Sequence, residues 1–241
     1  QSPKVICGQG VAPEKATIGY YKNLGLNVVP GSGLLSAVVP GAFDAWMLLL
    51  RDYGRFSLRD VLSPVIHYAS SGYPFLDSAN AVIRNVSKLF NNEWPTSAAL
   101  YLPKGEVPAA GGLFINPAFA QTYMRILDNA ESVSADRVEQ IEKARSIFYE
   151  GFVAESIDSF CRTQSVIDTS GRRHSGFLTG QDMASWRAEY ESPISYDYHD
   201  YTVFKTKPWT QGPVFLQQLA LLKGMDLSEC GPTSAAFVHT V

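Results

Sequence analysis

The chain has 241 residues, 46% of them hydrophobic and 18% charged, with a formal net charge of −3. That composition describes a folded globular protein and excludes a disordered one, and the length suffices to bury a core. The longest uninterrupted apolar run, Ala45 to Leu50, is far short of the ~20 residues of a membrane-spanning helix, and without a basic run or basic face there is no electrostatic footprint for nucleic acid.

In chain order, Lys4 to Gly8 reads as a strand running into the glycine-rich turn Gly8-Gln9-Gly10, and a short helix is expected near Pro13, where a fixed φ and a missing donor are tolerated. The two glycines do not complete GxGxxG because Pro13 occupies the third place, so no nucleotide site is read there. Pro30 to Gly33 forms a second turn, and Ala37 to Val39 reads as a short buried strand leading into Pro40-Gly41. Ala42, Trp46, Leu49, Leu50 and Tyr53 recur at helical spacing and predict one apolar face. Gly54 is expected to stop that helix in the left-handed region, and Ser57 with Asp60 forms a capping-box pattern for the next one.

Ser63-Pro64 either begins a new helix or kinks this one, and Gly72 ends it. A helix from Ser78 presents Ala79, Val82, Val86 and Leu89 or Phe90, followed by a long loop between Asn91 and Gly112. Asn116-Pro117 opens a helix to about Asn129, and Gly151 separates two more, Ala135 to Tyr149 and Phe152 to Arg162. Thr179 and Asp182 repeat the capping-box pattern for a helix reaching about Tyr190. Alternation at Ile194, Tyr196, Tyr198 and then Tyr201, Val203 predicts a hairpin around His199-Asp200. A helix from Gly212-Pro213 to Gly224 and another from Thr233 follow.

Chemistry is sparse. There is no GxSxG elbow, no SxxK and no Cys–His arrangement. Cys7, Cys161 and Cys230 are widely spaced and read as buried free thiols, with Cys161 on an apolar face. His67, His174, His199 and His239 are isolated, and His174 is expected to be solvated in the basic loop Gly171-Arg-Arg-His174. His199 with Asp197 and Asp200 is a poor metal set because the turn breaks their shared face. Asp158, Asp168 and Asp182 do not converge in sequence. No catalytic residue and no metal ligand is assigned within the chain.

Several motifs, in one order, resemble the large-subunit half of the gamma-glutamyltranspeptidase family. They are Gly8-x-Gly10-x-Ala12-Pro13, Val39-Pro40-Gly41, Tyr53-Gly54-Arg55-x-Ser57-Leu58 and Gly72-Tyr73-Pro74. Asn116-Pro117, Phe148-Tyr149-x-Gly151, Gly176-Phe177-Leu178-Thr179-x-x-Asp182-Met183 and Tyr198-x-x-Tyr201-x-Val203 continue the series. The resemblance implies an α+β fold, the helix-rich part of an αββα N-terminal-nucleophile hydrolase sandwich. Residues 1–241 would then be a single incomplete domain. It also implies a precursor that cleaves itself, with a new N-terminal threonine attacking an amide carbonyl and its own α-amine as base. No Thr-Thr-His-like stretch occurs here, so the nucleophile is expected downstream of Val241 and the chain is read as an inactive interior fragment.

The implied partners are a small amide or gamma-glutamyl substrate and the protein's own small subunit, with no organic cofactor and no metal. A homo-oligomer of such heterodimers is compatible with the resemblance, as is a non-catalytic helical module that kept only the scaffold. The compartment is left open. One departure bears on substrate. Where gamma-glutamyl transferases carry an arginine that clamps the substrate α-carboxylate, this chain has Gln9. An amide supplies no charge and no rigid bidentate fork, and Pro208-Trp209-Thr-Gln211-Gly212-Pro213 resembles the branch containing oxamate amidohydrolase. Gln9 is therefore read either as a substrate-binding residue of an amidohydrolase or as a turn residue bonding local backbone.

Overall fold

The computed structural model describes residues 3–109, 111–227 and 230–241. These fall into two compact units, residues 3–9 with 188–241, and residues 10–187. In the first, β1 (Val5–Cys7) pairs antiparallel with β6 (Glu189–Glu191), Val5 opposite Glu191. The hairpin of β7 (Ile194–Tyr198) and β8 (Tyr201–Lys205) carries α10 (Gly212–Leu222) against both strands. Its turn lacks glycine, and His199 takes the left-handed conformation instead, at φ 50°. Lys223 fastens the end of α10 to the hairpin through Asp197 O, at 2.7 Å. A last helix, α11 (Ala235–Thr240), is capped by Ser234.

The second unit is a helical layer organised around α7 (Arg137–Glu150). It packs against α2 (Ala42–Tyr53), α3 (Leu58–Ser71), α6 (Pro117–Val133), α8 (Phe152–Thr163) and α9 (Gly180–Ala184). Ile141, Ala144 and Tyr149 of α7 are fully buried, which is why no single apolar stripe marks it in the sequence. Both capping boxes form as expected, Ser57 with Asp60 and Thr179 with Asp182, and Asn116 caps α6 ahead of Pro117. Pro64 lies within a continuous α3.

Several expectations are corrected. On α2 the inward residues are Phe43, Asp44, Met47, Leu48 and Leu50, while Trp46, Leu49 and Tyr53 are exposed. The apolar spacing misled because the true inner face contains a charge, Asp44, whose partner lies on α7. Gly54 is extended, not left-handed, at φ −79°, but a Cβ there would stand 2.7 Å from Leu50 O, so glycine is needed for close approach. Pro13 starts no helix. Ala16 N bonds back to Pro13 O in a single turn, and Thr17 caps α1 (Ile18–Asn23) instead. Val39 is buried, yet Ala37 to Val39 joins no ladder: Ala37 N–H turns back to Leu34 O at 3.3 Å, and Val39 N–H bonds Val11 O at 3.0 Å.

On α4 (Asp77–Glu93) the buried apolar residue is Ile83, and Val82 faces outward. The expected loop at 91–112 contains α5 (Pro95–Tyr101). That helix is held by aromatic contacts rather than by a strong local pattern: Tyr101 stacks on Phe114 at 5.6 Å, and Phe90 tilts against Tyr101 at 5.9 Å. Phe114 belongs to β3 (Leu113–Phe114), which pairs with β2 (Tyr73–Pro74). Beyond α5, exposed Lys104 adopts a left-handed φ of 68°, followed by Gly105 at 81°. The helix begun at Thr179 stops at Ala184 instead of Tyr190, and Glu189–Glu191 is strand. Among the described residues no helix is long and apolar enough to cross a membrane.

Candidate functional site

Gln9 follows β1 directly. Its side chain is exposed and makes no hydrogen bond among the described residues, so the contact to local backbone considered from the sequence is not observed there. The chain after it is tightly fixed. A Cβ on Gly10 would stand 1.6 Å from Val39 O, so only glycine lets these two backbones meet. Glu14 N–H donates to Asp182 Oδ1 at 2.9 Å, while Asp182 Oδ2 accepts from Thr179 N–H and Thr179 Oγ1. Asp182 is therefore more than a helix cap. It fastens the segment after the turn to α9. Burial pushes its carboxyl up, but the bonds from Glu14 and Thr179 outweigh that and hold it below the usual carboxylate range.

Tyr149 makes a similar junction. Its hydroxyl donates to Pro40 O at 2.6 Å and accepts from Asp44 N–H at 3.2 Å. Arg145, one turn earlier, forks onto Asp44 and also reaches Glu142, which in turn accepts from Arg51. Sequence reading missed this network because Asp44 and Arg145 lie on separate helices; a lone aspartate within an apolar run was the available signal.

The three carboxylates considered from the sequence have separate partners: Asp158 faces Arg162, Asp168 meets His174 and Ser170, and Asp182 meets Thr179 and Glu14. His174 is not solvated. β4 (Val166–Ile167) pairs with β5 (Arg173–His174), and this short hairpin brings His174 Nδ1 within 2.7 Å of Asp168 Oδ2. Burial raises the Asp168 carboxyl, and hydrogen bonds from Ser170 and His174 more than offset it, leaving it lowered. Of the three cysteines expected to be buried, Cys7 and Cys230 are only partly so, while Cys161 is buried beside Gly176. Its thiol is pushed up by burial and by Asp158, which makes it a core thiol and a poor nucleophile. His67 faces Ser71 on α3, and His199 occupies the hairpin turn. Among the described residues no group of three or more His, Cys, Asp or Glu side chains is placed to hold a metal ion.

Arranged this way, segments far apart in sequence are joined at specific atoms, Val39-Pro40 to Tyr149 and Glu14 to Asp182. The family model described as Gamma-glutamyltranspeptidase matches residues 1–241. The glutathione hydrolase-like YwrD proenzyme of Bacillus subtilis is 30% identical over 240 residues, covering 99% of this chain and 40% of that protein. The acylase ACY 1 proenzyme of a Pseudomonas species (strain SE83) is 26% identical and is covered to 39%. Among solved structures, LmbA2991HD superposes with a TM-score of 0.92 at 50% identity, covering 98% of this chain and 40% of that one. The cephalosporin acylase from Bacillus halodurans superposes with a TM-score of 0.75 at 27% identity, again covering 98% and 40%.

The fold and the match over the whole length define an N-terminal-nucleophile hydrolase scaffold of mixed helix and strand. The chain belongs to the gamma-glutamyltranspeptidase family. It spans about 40% of the length of these relatives.

Proposed function

We propose that this chain is the large-subunit part of an autoprocessed amidohydrolase that cleaves a small amide, with Gln9 contacting the substrate. The observation that carries this reading is the state of Gln9: exposed and without a hydrogen bond among the described residues, immediately before the glycine that meets Val39. An uncommitted amide donor and acceptor on a fixed turn suits a neutral or singly hydrogen-bonded substrate group. It suits a gamma-glutamyl α-carboxylate poorly, since a guanidinium fork would supply ~1.5–3 kcal/mol per charged hydrogen bond. In this reading the nucleophile is an N-terminal threonine on a small subunit made by self-cleavage. Its hydroxyl attacks the amide carbonyl while its amine takes the hydroxyl proton. The C–N bond then breaks as that proton passes to the departing amine, and water hydrolyses the resulting ester to free the acid and regenerate the threonine. No metal or organic cofactor takes part.

The alternative is glutathione hydrolysis or gamma-glutamyl transfer, favoured by the name of the 30%-identical Bacillus subtilis relative. The complete protein separates the readings. It is expected to split into two bands on a denaturing gel; a single band after purification and incubation points instead to a scaffold without chemistry. Turnover of a gamma-glutamyl anilide is expected to rise about 10–100-fold in Gln9→Arg. Equal rates in the two proteins would overturn the role given to Gln9.

A further inference from the structure

A cavity of about 240 Å³ lies between α5, the end of α8, the hairpin β4–β5 and the turn at Gly33-Leu34. Trp94 and Phe160 supply aromatic wall, and Val166 and Leu34 aliphatic wall. The Trp94 ring is fixed from two directions. Its Nε1–H donates to Ile167 O at 3.0 Å, and its face stacks on Phe90 at 5.8 Å with the planes 23° apart. Through Phe90 and Tyr101 that stack continues to Phe114. The hairpin that carries Val166 and Ile167 is itself held by Asp168 and His174. Gly33, at φ +82°, lets the floor close in, since a Cβ there would stand 2.8 Å from Asp168 Cβ. The walls are therefore set before any ligand arrives, which removes much of the ordering cost of binding.

Among the described residues no charged side chain lines the cavity, and two charges on its flanking segments are engaged. Asp168 is taken by His174 and Ser170, and Glu93 by Arg173. An ion placed here would lose water without gaining a counter-charge. The polar groups on offer are the hydroxyls of Thr96 and Ser97, which make no side-chain hydrogen bond among the described residues, and the Gln164 amide, engaged only by a long 3.4 Å contact to Thr163. The volume exceeds the ~150 Å³ cavity that accommodates benzene and falls below the ~300–1,000 Å³ typical of drug-sized ligands. From this combination we propose that the cavity binds a neutral single-ring aromatic molecule carrying one hydroxyl, the ring between Trp94 and Phe160 and the hydroxyl at Thr96 and Ser97. This does not rest on the role given to Gln9.

The test is calorimetric titration and saturation-transfer NMR of the complete protein with 4-methylphenol, with benzoate as the charged counterpart. Saturable binding of 4-methylphenol at about 1 mM or tighter is expected, with benzoate at least about tenfold weaker. Ser97→Phe, which fills the cavity, is expected to weaken 4-methylphenol about tenfold or more, and Thr96→Phe, at an exposed position, does the same should the first variant lose its native circular dichroism. Lack of saturation at about 10 mM, equal affinity for benzoate, or unchanged affinity in a folded filled variant each overturns the proposal.

Discussion

Arg145 grips Asp44 by both prongs of its guanidinium, Nε to Oδ1 at 2.6 Å and Nη2 to Oδ2 at 3.0 Å, with the aspartate wholly buried. The hydrogen bonds to Asp44 keep Arg145 protonated at any accessible pH, and the pair joins the start of α2 to α7. Truncating one partner strands the other as a buried charge. Asp44→Ala is expected to destabilise the protein by about 3–5 kcal/mol, whereas Asp44→Leu with Arg145→Met costs far less. Urea unfolding midpoints of Asp44→Ala, of Asp44→Leu and Arg145→Met singly, and of that pair combined check this; additive losses in the pair would contradict it.

Gly10→Ala tests the meeting of two backbones. A methyl group 1.6 Å from Val39 O forces Gly10 and Val39 apart and breaks the Val39 N–H bond to Val11 O. A loss of about 2 kcal/mol or more is expected, read as a lowered midpoint of thermal unfolding. Gly19→Ala, where a Cβ meets nothing within 4 Å, is the matched control and lies on α1. It is expected to be neutral or mildly stabilising.

Acid exposes the carboxylate junctions. Asp168 and Asp182 both have folded-state values below the unfolded carboxylate range of about 4. Their stabilisation is thus fully present above about pH 4 and declines as pH falls through the folded values. The stability gap between the natural protein and Asp182→Asn should therefore be wide at neutral pH and narrow progressively as pH falls below about 4. Denaturant titrations at several pH values measure it; a constant gap would show that Asp182 acts by shape and not by charge.

The face of α2 gives a direct packing test. Met47 is 2% exposed and Trp46 59%. Met47→Ala is expected to cost about 2–5 kcal/mol, measurable by denaturant unfolding, and a cost below about 1 kcal/mol would mean the inner face is misassigned.

Local punctuation was readable from the sequence because its physics is local. Ser57 with Asp60, Thr179 with Asp182, and Asn116-Pro117 each satisfy helix-end N–H groups within a few residues. The α2 face was not readable, since the reason to bury Asp44 lies about a hundred positions away at Arg145. Nor was α5, which is secured by the Phe90 ring of α4 and the Phe114 ring of β3, both outside its own seven residues. His174 looked solvated because its neighbours are arginines; the turn at Asp168 folds it inward. Gln9 carried no signal of its own. Only its place in a resembling motif drew attention to it; its side chain is exposed and makes no hydrogen bond among the described residues.

The left-handed pair Lys104-Gly105 has a practical side. The flanking chain is stitched on both sides, by Tyr101 against Phe114 and by Tyr73 opposite Phe114 in the β2–β3 ladder. Extra residues placed after Lys104 would lengthen a surface excursion whose closure cost grows only slowly with length, about 0.6 kcal/mol per doubling. That makes this turn a natural graft point for an affinity tag or a fluorophore.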